Sequence, residues 1–367
     1  MTRARLMKSQ EDYQRIGVKK GIIQPWEDGK RENYRAGVFE WWYFDAILDD
    51  GSTVAACYST KVQPFTFLPG LHPALTFHIT EPDGTTYSER FTKFKKKEVV
   101  VKEGKCNVHY GPHCIEGDMQ NYHIKAEPIN GTGYDLYLKK DGISWRGDTG
   151  YIGFGEKDEK YFTWTCFVPR GKVTGTITVG GKTRKITGMG YHDHQWGTIM
   201  QFDFLNNWLW SRQNGTNYSI VVFDFIMNQK YDYKRIPLVF IQDKEGNLIF
   251  EETEHVKCEV LEEFTQEVSG AKFPKVTRYY FENHGKKVTY TLTVLKELEG
   301  RDIYKQAPAI LRRSFDKKGS HPKYGRYLAQ GELIIEENGQ EVYEVGELIY
   351  EFPHLYQEYK KYMEQEV

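Results

Sequence analysis

The strongest constraint on this chain is a unit that keeps returning: a short apolar or aromatic run, a turn dipeptide, and a second run. FEWWYFDAILDDGSTVAACYST opens the series, with Asp49-Asp50-Gly51 between two β-favouring runs. LTFHITEPDGTTYSERF repeats it around Pro82-Asp83-Gly84, and five further segments of this kind follow, the last LAQGELIIEENGQEVYEVGELIYEF. Helical periodicity is confined to the ends, in SQEDYQRIG with Ser9 as N-cap and in HLYQEYKKYMEQEV. Hairpins in such number, without intervening helices, predict an all-β chain built as barrels or sandwiches rather than βαβ units. Aromatic residues at 15% of the 367 fit that reading and add rings enough to line an apolar pocket.

Two of the segments share one plan. Residues 172–192 and 327–351 each carry a Gly before a β run, a Gly-containing turn, a second run and a Gly near the end. A spaced repeat of this sort predicts two related β domains with a boundary near residue 200. The TVGGKT of the first copy mimics a phosphate-binding loop, but Ile177 stands where that loop needs its first Gly, so it reads as a hairpin turn.

Composition excludes several functions. A net charge of −1 gives no electrostatic reason to expect nucleic acid or an anionic membrane as partner. Five scattered cysteines without a CxxC argue against a disulfide framework or zinc ribbon. No apolar run approaches the ~20 residues of a spanning helix, and the N-terminus lacks the apolar core of a signal peptide. The expectation is a cytoplasmic protein without stable membrane insertion.

The chemistry concentrates in GYHDHQWG, residues 190–197. In an extended strand His192, His194 and Trp196 share one face, and Tyr191, Asp193 and Gln195 the other. Two imidazoles so spaced can bind a metal if a third ligand arrives from elsewhere, with His78, His109, His113 and His123 as candidates. They can equally be hydrogen-bonded histidines without chemistry, or part of a metal-free site, which is the reading preferred. In NYSIVVFDFIMN, Asp224 falls in an apolar row with Tyr218, Ile220, Val222 and Ile226. Burial there would keep a carboxyl protonated near neutral pH, unless a partner such as Arg212, in WLWSRQNG with Trp210, neutralises it. The opening strand places Glu40, Trp42 and Phe44 on one side, and Glu40 or Asp45 is a possible second acid.

EWWYFDA followed by GYHDHQWG resembles the carotenoid 1,2-hydratase (hydroxyneurosporene synthase) / AttH-like family over roughly residues 30–352. That resemblance implies two tandem lipocalin-like β-barrel domains with short terminal helices: an arm at 1–30, domains at 31–200 and 201–352, and a helix at 353–367. It implies cofactor-independent chemistry on a small apolar unsaturated substrate, terpenoid-, polyketide- or phenolic-like. The family's hydratases add water across a C=C, and related two-barrel proteins include pericyclases that fold polyenes. Carried over, His194, Trp196 and Asp224 are the implied catalytic residues. Val222 stands where the hydratase pattern has Tyr, with Tyr218 on the same face. His192, Tyr191, Glu40, Trp42, Tyr218, Trp210 and Arg212 are expected to line the substrate site. A hydratase acting by proton transfer is the leading expectation. A Diels-Alderase-like cyclase and a non-catalytic carrier of lipophilic ligands are the alternatives.

Overall fold

The computed structural model describes residues 3–61, 65–356 and 358–365. The chain forms two compact units, one running from Arg5 to Met200 and one taking Gln201 onward. Each is a curled antiparallel sheet, a half-barrel of lipocalin type, as expected from the hairpin pattern.

In the N-terminal unit eleven strands follow one path among the described residues. A meander of Phe39–Leu48, Thr53–Ser59, Ala74–Thr80 and Thr86–Phe91 forms one flank. The long hairpin of Lys160–Val179 and Lys182–Gly197 joins it to a second flank of Thr132–Lys140, Asn121–Ile129, His113–Gly117, Asn107–Tyr110 and Val99–Val101. The C-terminal unit repeats the plan in nine strands. Its first strand, Leu205–Asn214, pairs with the last, Gln340–His354, as Phe39–Leu48 pairs with Lys182–Gly197. The repeated hairpins of the sequence are therefore one topological element, the return strand that closes each unit onto its own beginning.

Turn chemistry fixes both hairpins. Gly180 and Gly181 take φ of 55° and 76° between the paired residues Val179 and Lys182. Asn338 and Gly339 take 52° and 77° between Glu337 and Gln340. Two consecutive left-handed residues make the type I′ turn whose twist matches antiparallel strands. TVGGKT is thus a turn.

Alternation then builds the interiors. Trp42, Phe44, Ala46, Tyr58, Phe77, Tyr122, Tyr134, Phe167 and Val168 fall in one core, and Leu209, Ile220, Val222, Tyr279, Tyr290, Tyr327 and Tyr350 in the other. The terminal helices are short. Gln10–Ile16 starts on Ser9, whose Oγ accepts from the Asp12 amide while Asp12 accepts from the Ser9 amide. At the other end only Tyr359–Met363 is helical, because the closing strand runs on to His354. The helix Ala309–Lys318, inserted between the strands Lys286–Asp302 and Lys323–Glu337, was not legible in sequence. None of its residues is buried, so it carries no apolar stripe to read.

Candidate active site

Cross-strand register assembles the site. In the N-terminal unit His194 lies opposite Trp42, Trp196 opposite Glu40, and His192 opposite Phe44. Directly paired residues share a sheet face, so the imidazoles, both indoles and the Glu40 carboxyl project together. Long side chains also reach their diagonal neighbours, and Glu40 Oε1 meets His194 Nε2 at 3.1 Å. The His194 ring stacks on Trp42 at 4.3 Å and 20°, with Trp196 4.6 Å away and tilted by 47°.

The segment before the first strand supplies what the sequence reading missed. The 3₁₀ turn Pro25–Asp28 brings in Asp28, whose main-chain oxygen accepts from Trp42 Nε1 at 2.9 Å. Its carboxylate accepts from Tyr122 Oη at 2.6 Å and sits 3.2 Å from His192 Nε2. The Arg31 amide donates to Glu40 Oε1 at 2.6 Å. Residues 1–30 are thus not merely an arm, since Asp28 belongs to the interior. The PWED stretch gives no local sign of this, because its partners are strands far along the chain.

Protonation follows from the geometry. His192 Nδ1 faces the Tyr43 carbonyl at 2.8 Å, and Nε2 faces the Asp28 carboxyl oxygens at 3.2 Å. Burial disfavours the imidazolium, yet the Asp28 charge and its hydrogen bonds outweigh it and raise the pKa of His192. Glu40 has no opposing charge of that kind within bonding distance. Complete burial pushes its pKa up to about 8, only partly offset by the amides of Arg31 and Glu32. Burial likewise pulls His194 down to about 3. At neutral pH a protonated carboxyl therefore bonds to a neutral imidazole. Glu40 Oε1 receives the Arg31 amide and faces His194 Nε2, so both of its near neighbours are on that oxygen. Oε2 has no hydrogen-bond partner among the described residues. His194 Nδ1 lies 3.7 Å from Asp28 Oδ1, and a hydrogen bond to the Glu27 main-chain carbonyl offsets part of the effect of burial on this ring.

The opposite strand face is different. Asp193 accepts from Tyr191 Oη at 2.8 Å, Trp164 Nε1 at 3.0 Å and Gln195 Nε2 at 3.2 Å. Burial raises its pKa to about 6, but all its visible partners are donors that hold it in place. Tyr191, expected beside His192 in the lining, is on this face and not with the imidazoles.

Asp224 lies in the C-terminal unit, within that unit's own core face. It was expected as a buried acid with Arg212 as the partner that could neutralise it. Its partner is Arg235, from the neighbouring strand Arg235–Asp243, which binds it through Nη2 at 2.6 Å and Nε at 2.9 Å; Tyr279 Oη adds a bond at 3.0 Å. Arg235 Nη1 continues to the carbonyls of Met363 and Gln365 at 2.8 and 3.0 Å. The site is a two-sided clamp on the C-terminal segment. Leu209 pairs with Asp224, so Trp210 and Arg212 occupy the other face of their strand. Tyr218 shares the Asp224 face at the strand's far end and packs against the core from its half-buried position.

None of His78, His109, His113 and His123 joins His192. His78 bonds Ser88, His113 packs on Phe91 and Phe94, and His109 and His123 bond carboxylates on another face. The group that does converge is Asp28, Cys106 and His192, whose ligand atoms lie within 4.8 Å of one another and could hold a metal ion.

These two half-barrels, each closed by a long return hairpin, define a tandem lipocalin-like protein. The AttH-like family model matches residues 19–299, and the chain belongs to that family. None of the curated proteins matches in sequence. Among solved structures, an AttH-type protein of Nitrosomonas europaea is 15% identical with a TM-score of 0.64, over 91% of this chain and 97% of that one. CghA in complex with Sch210972 is 12% identical at a TM-score of 0.63, over 92% and 96%. Kievitone hydratase of Nectria haematococca is 13% identical at 0.57, over 92% and 93%. No helix among the described residues is long and apolar enough to cross a membrane.

Proposed function

We propose that this protein is an enzyme, a hydratase that protonates a C=C of a small apolar substrate and adds water, with Glu40 as the acid. The observation that carries the reading is the buried Glu40–His194 pair, in which a neutral carboxyl keeps its Oε2 unpartnered beside Trp42 and Trp196. Protonation of an unactivated alkene is the hard step, and a dry carboxylic acid held against the carbon supplies it. Oε2 transfers its proton to the less substituted carbon, and the π electrons form the new C–H bond. The indole faces stabilise the resulting carbocation. Water adds to the cation and gives its surplus proton back to Oε2 of the Glu40 carboxylate, while His194 Nε2, 3.1 Å from Oε1, holds the group in place. The acid is restored and no cofactor or metal takes part. His192 and Asp28 form a fixed ion pair that positions the imidazoles. Asp224 is left out of this chemistry, since Arg235 and Tyr279 already engage it.

Likeness to kievitone hydratase supports the hydratase reading as a matter of fold. Likeness to CghA keeps a second one, a cyclase of polyenes in which orientation and not an acid does the work. A panel of terpenoid, polyketide and phenolic alkenes in D₂O separates them. Hydration places one deuterium on carbon and is lost in E40Q. Cyclisation places none and survives that substitution. A bound but unaltered ligand throughout would identify a carrier and sink both enzymatic readings.

A further inference from the structure

A second cluster of ligand-type side chains lies on the N-terminal sheet, on the face opposite the core. Cys114 and Glu116 alternate along His113–Gly117, and register sets Glu116 opposite His123 on one neighbour and His109 opposite Cys114 on the other. The intervening Ile115 and Ile124 point into the core, so these four share the outer face.

The donor atoms already approach a coordination polyhedron. Cys114 Sγ and Glu116 Oε1 are each 3.9 Å from His123 Nδ1, and the three atoms fall within 4.8 Å of one another. Bonds of about 2.0–2.3 Å at tetrahedral angles need ligand atoms about 3.2–3.8 Å apart, so sub-ångström movements suffice. The surroundings orient each ligand. His123 Nε2 bonds Asp135 Oδ1 at 2.8 Å, which turns Nδ1 towards the sulfur and Glu116, the carboxylate–histidine arrangement typical behind a metal. Tyr137 stacks on the same ring at 4.8 Å and 10°. His109 Nε2 holds Glu116 Oε2 at 3.1 Å, so Oε1 is turned towards the sulfur and the imidazole. Lys125 is paired with Glu127 at 2.5 Å and also reaches Asp135 Oδ2 at 3.9 Å.

We propose that Cys114, Glu116 and His123 form a binding site for a zinc-class divalent cation, with Asp135 and His109 as positioning residues and solvent in the fourth place. One soft thiolate, one imidazole and one carboxylate suit Zn²⁺ or Co²⁺ and not Ca²⁺ or Mg²⁺. The site is independent of the Glu40–His194 chemistry.

The test is titration of the chelator-treated, full-length protein with CoCl₂. One equivalent is expected to produce a thiolate-to-cobalt charge-transfer band in the near ultraviolet, with visible bands of tetrahedral intensity. C114S is expected to lose the charge-transfer band. D135N and E116Q, substitutions at partly exposed positions, are expected to weaken Zn²⁺ binding about tenfold or more in competition with a chromophoric chelator. Far-UV circular dichroism checks that each variant is folded. No charge-transfer band in the wild type, or a band of undiminished strength in folded C114S, overturns the proposal. Unchanged Zn²⁺ affinity in both D135N and E116Q does the same.

Discussion

Glu40 and His194 are diagonal neighbours on adjacent strands, and their 3.1 Å contact joins two groups whose pKa values burial has driven past each other. The carboxyl is the weaker acid of the two, the reverse of their order in water. A neutral pair of this kind can store a proton for transfer to carbon without placing a charge in the core.

Replacing Glu40 with Gln keeps the shape and removes the transferable proton. Turnover is expected to fall by about 10²–10⁴, the usual worth of a general acid. In the wild type the rate should decline above about pH 8 as Glu40 ionises. A rate–pH profile with no loss on that limb, or an E40Q variant of full activity, would contradict the assignment.

Stability carries the same signature. Glu40 keeps its proton in the fold up to about pH 8, whereas the unfolded chain releases it near 4.5, so folding takes up a proton in that window and stability falls as pH rises. His194 has the opposite sign: neutral in the fold down to about pH 3, it costs stability as pH drops below the unfolded value of 6.5. Below pH 6.5 the two oppose. Between about 6.5 and 8 Glu40 acts in the same direction as His192, whose raised pKa also makes stability fall with rising pH. Urea midpoints measured across pH 6.5–8 should therefore slope downward in the wild type and less steeply in E40Q.

Arg235→Met leaves the Asp224 carboxylate buried without its cation. Breaking a buried pair in this way costs about 3–5 kcal/mol, and the carbonyls of Met363 and Gln365 lose their donor as well. Chemical denaturation reads the loss directly. D224N, by contrast, should retain near wild-type turnover in whatever fraction stays folded. A folded, inactive D224N would return the acid role to Asp224.

The buried trio of Asp28, Cys106 and His192 gives a metal-dependent alternative its best foothold. Dialysis against a strong chelator is expected to leave turnover unchanged, and added Zn²⁺ not to raise it. Activity that vanishes with chelation and returns with metal would replace proton transfer by Lewis-acid chemistry.

How much of this could be read beforehand depends on the range of the interactions. Turn dipeptides and period-two alternation are local, so the all-β class, the Ser9 cap and the shared face of His192, His194 and Trp196 were all legible. Glu40 was visible as a candidate but not as His194's partner, because strand register is a property of the folded sheet. Asp28 and Tyr122 were silent for the same reason. Asp224 shows the limit from the other side: the sequence offers Arg212 as the partner of an acid in an apolar row, and only the folded ladder brings in Arg235, eleven positions on. Arg212 is not the partner of Asp224 because register sets Leu209 opposite it and turns Arg212 to the other face.

The return hairpin also has a consequence in time. Phe39–Leu48, rich in tryptophan and phenylalanine, finds Thr53–Ser59 almost at once, but its other edge waits for Lys182–Gly197. That strand is made about 150 residues later, a delay of about 8–30 s at synthesis rates of roughly 5–20 residues per second. Throughout it the nascent chain offers an open aromatic edge able to template wrong pairings. Yield in the cell should thus respond to translation speed and to chaperones that shield this stretch, before any property of the finished fold comes into play.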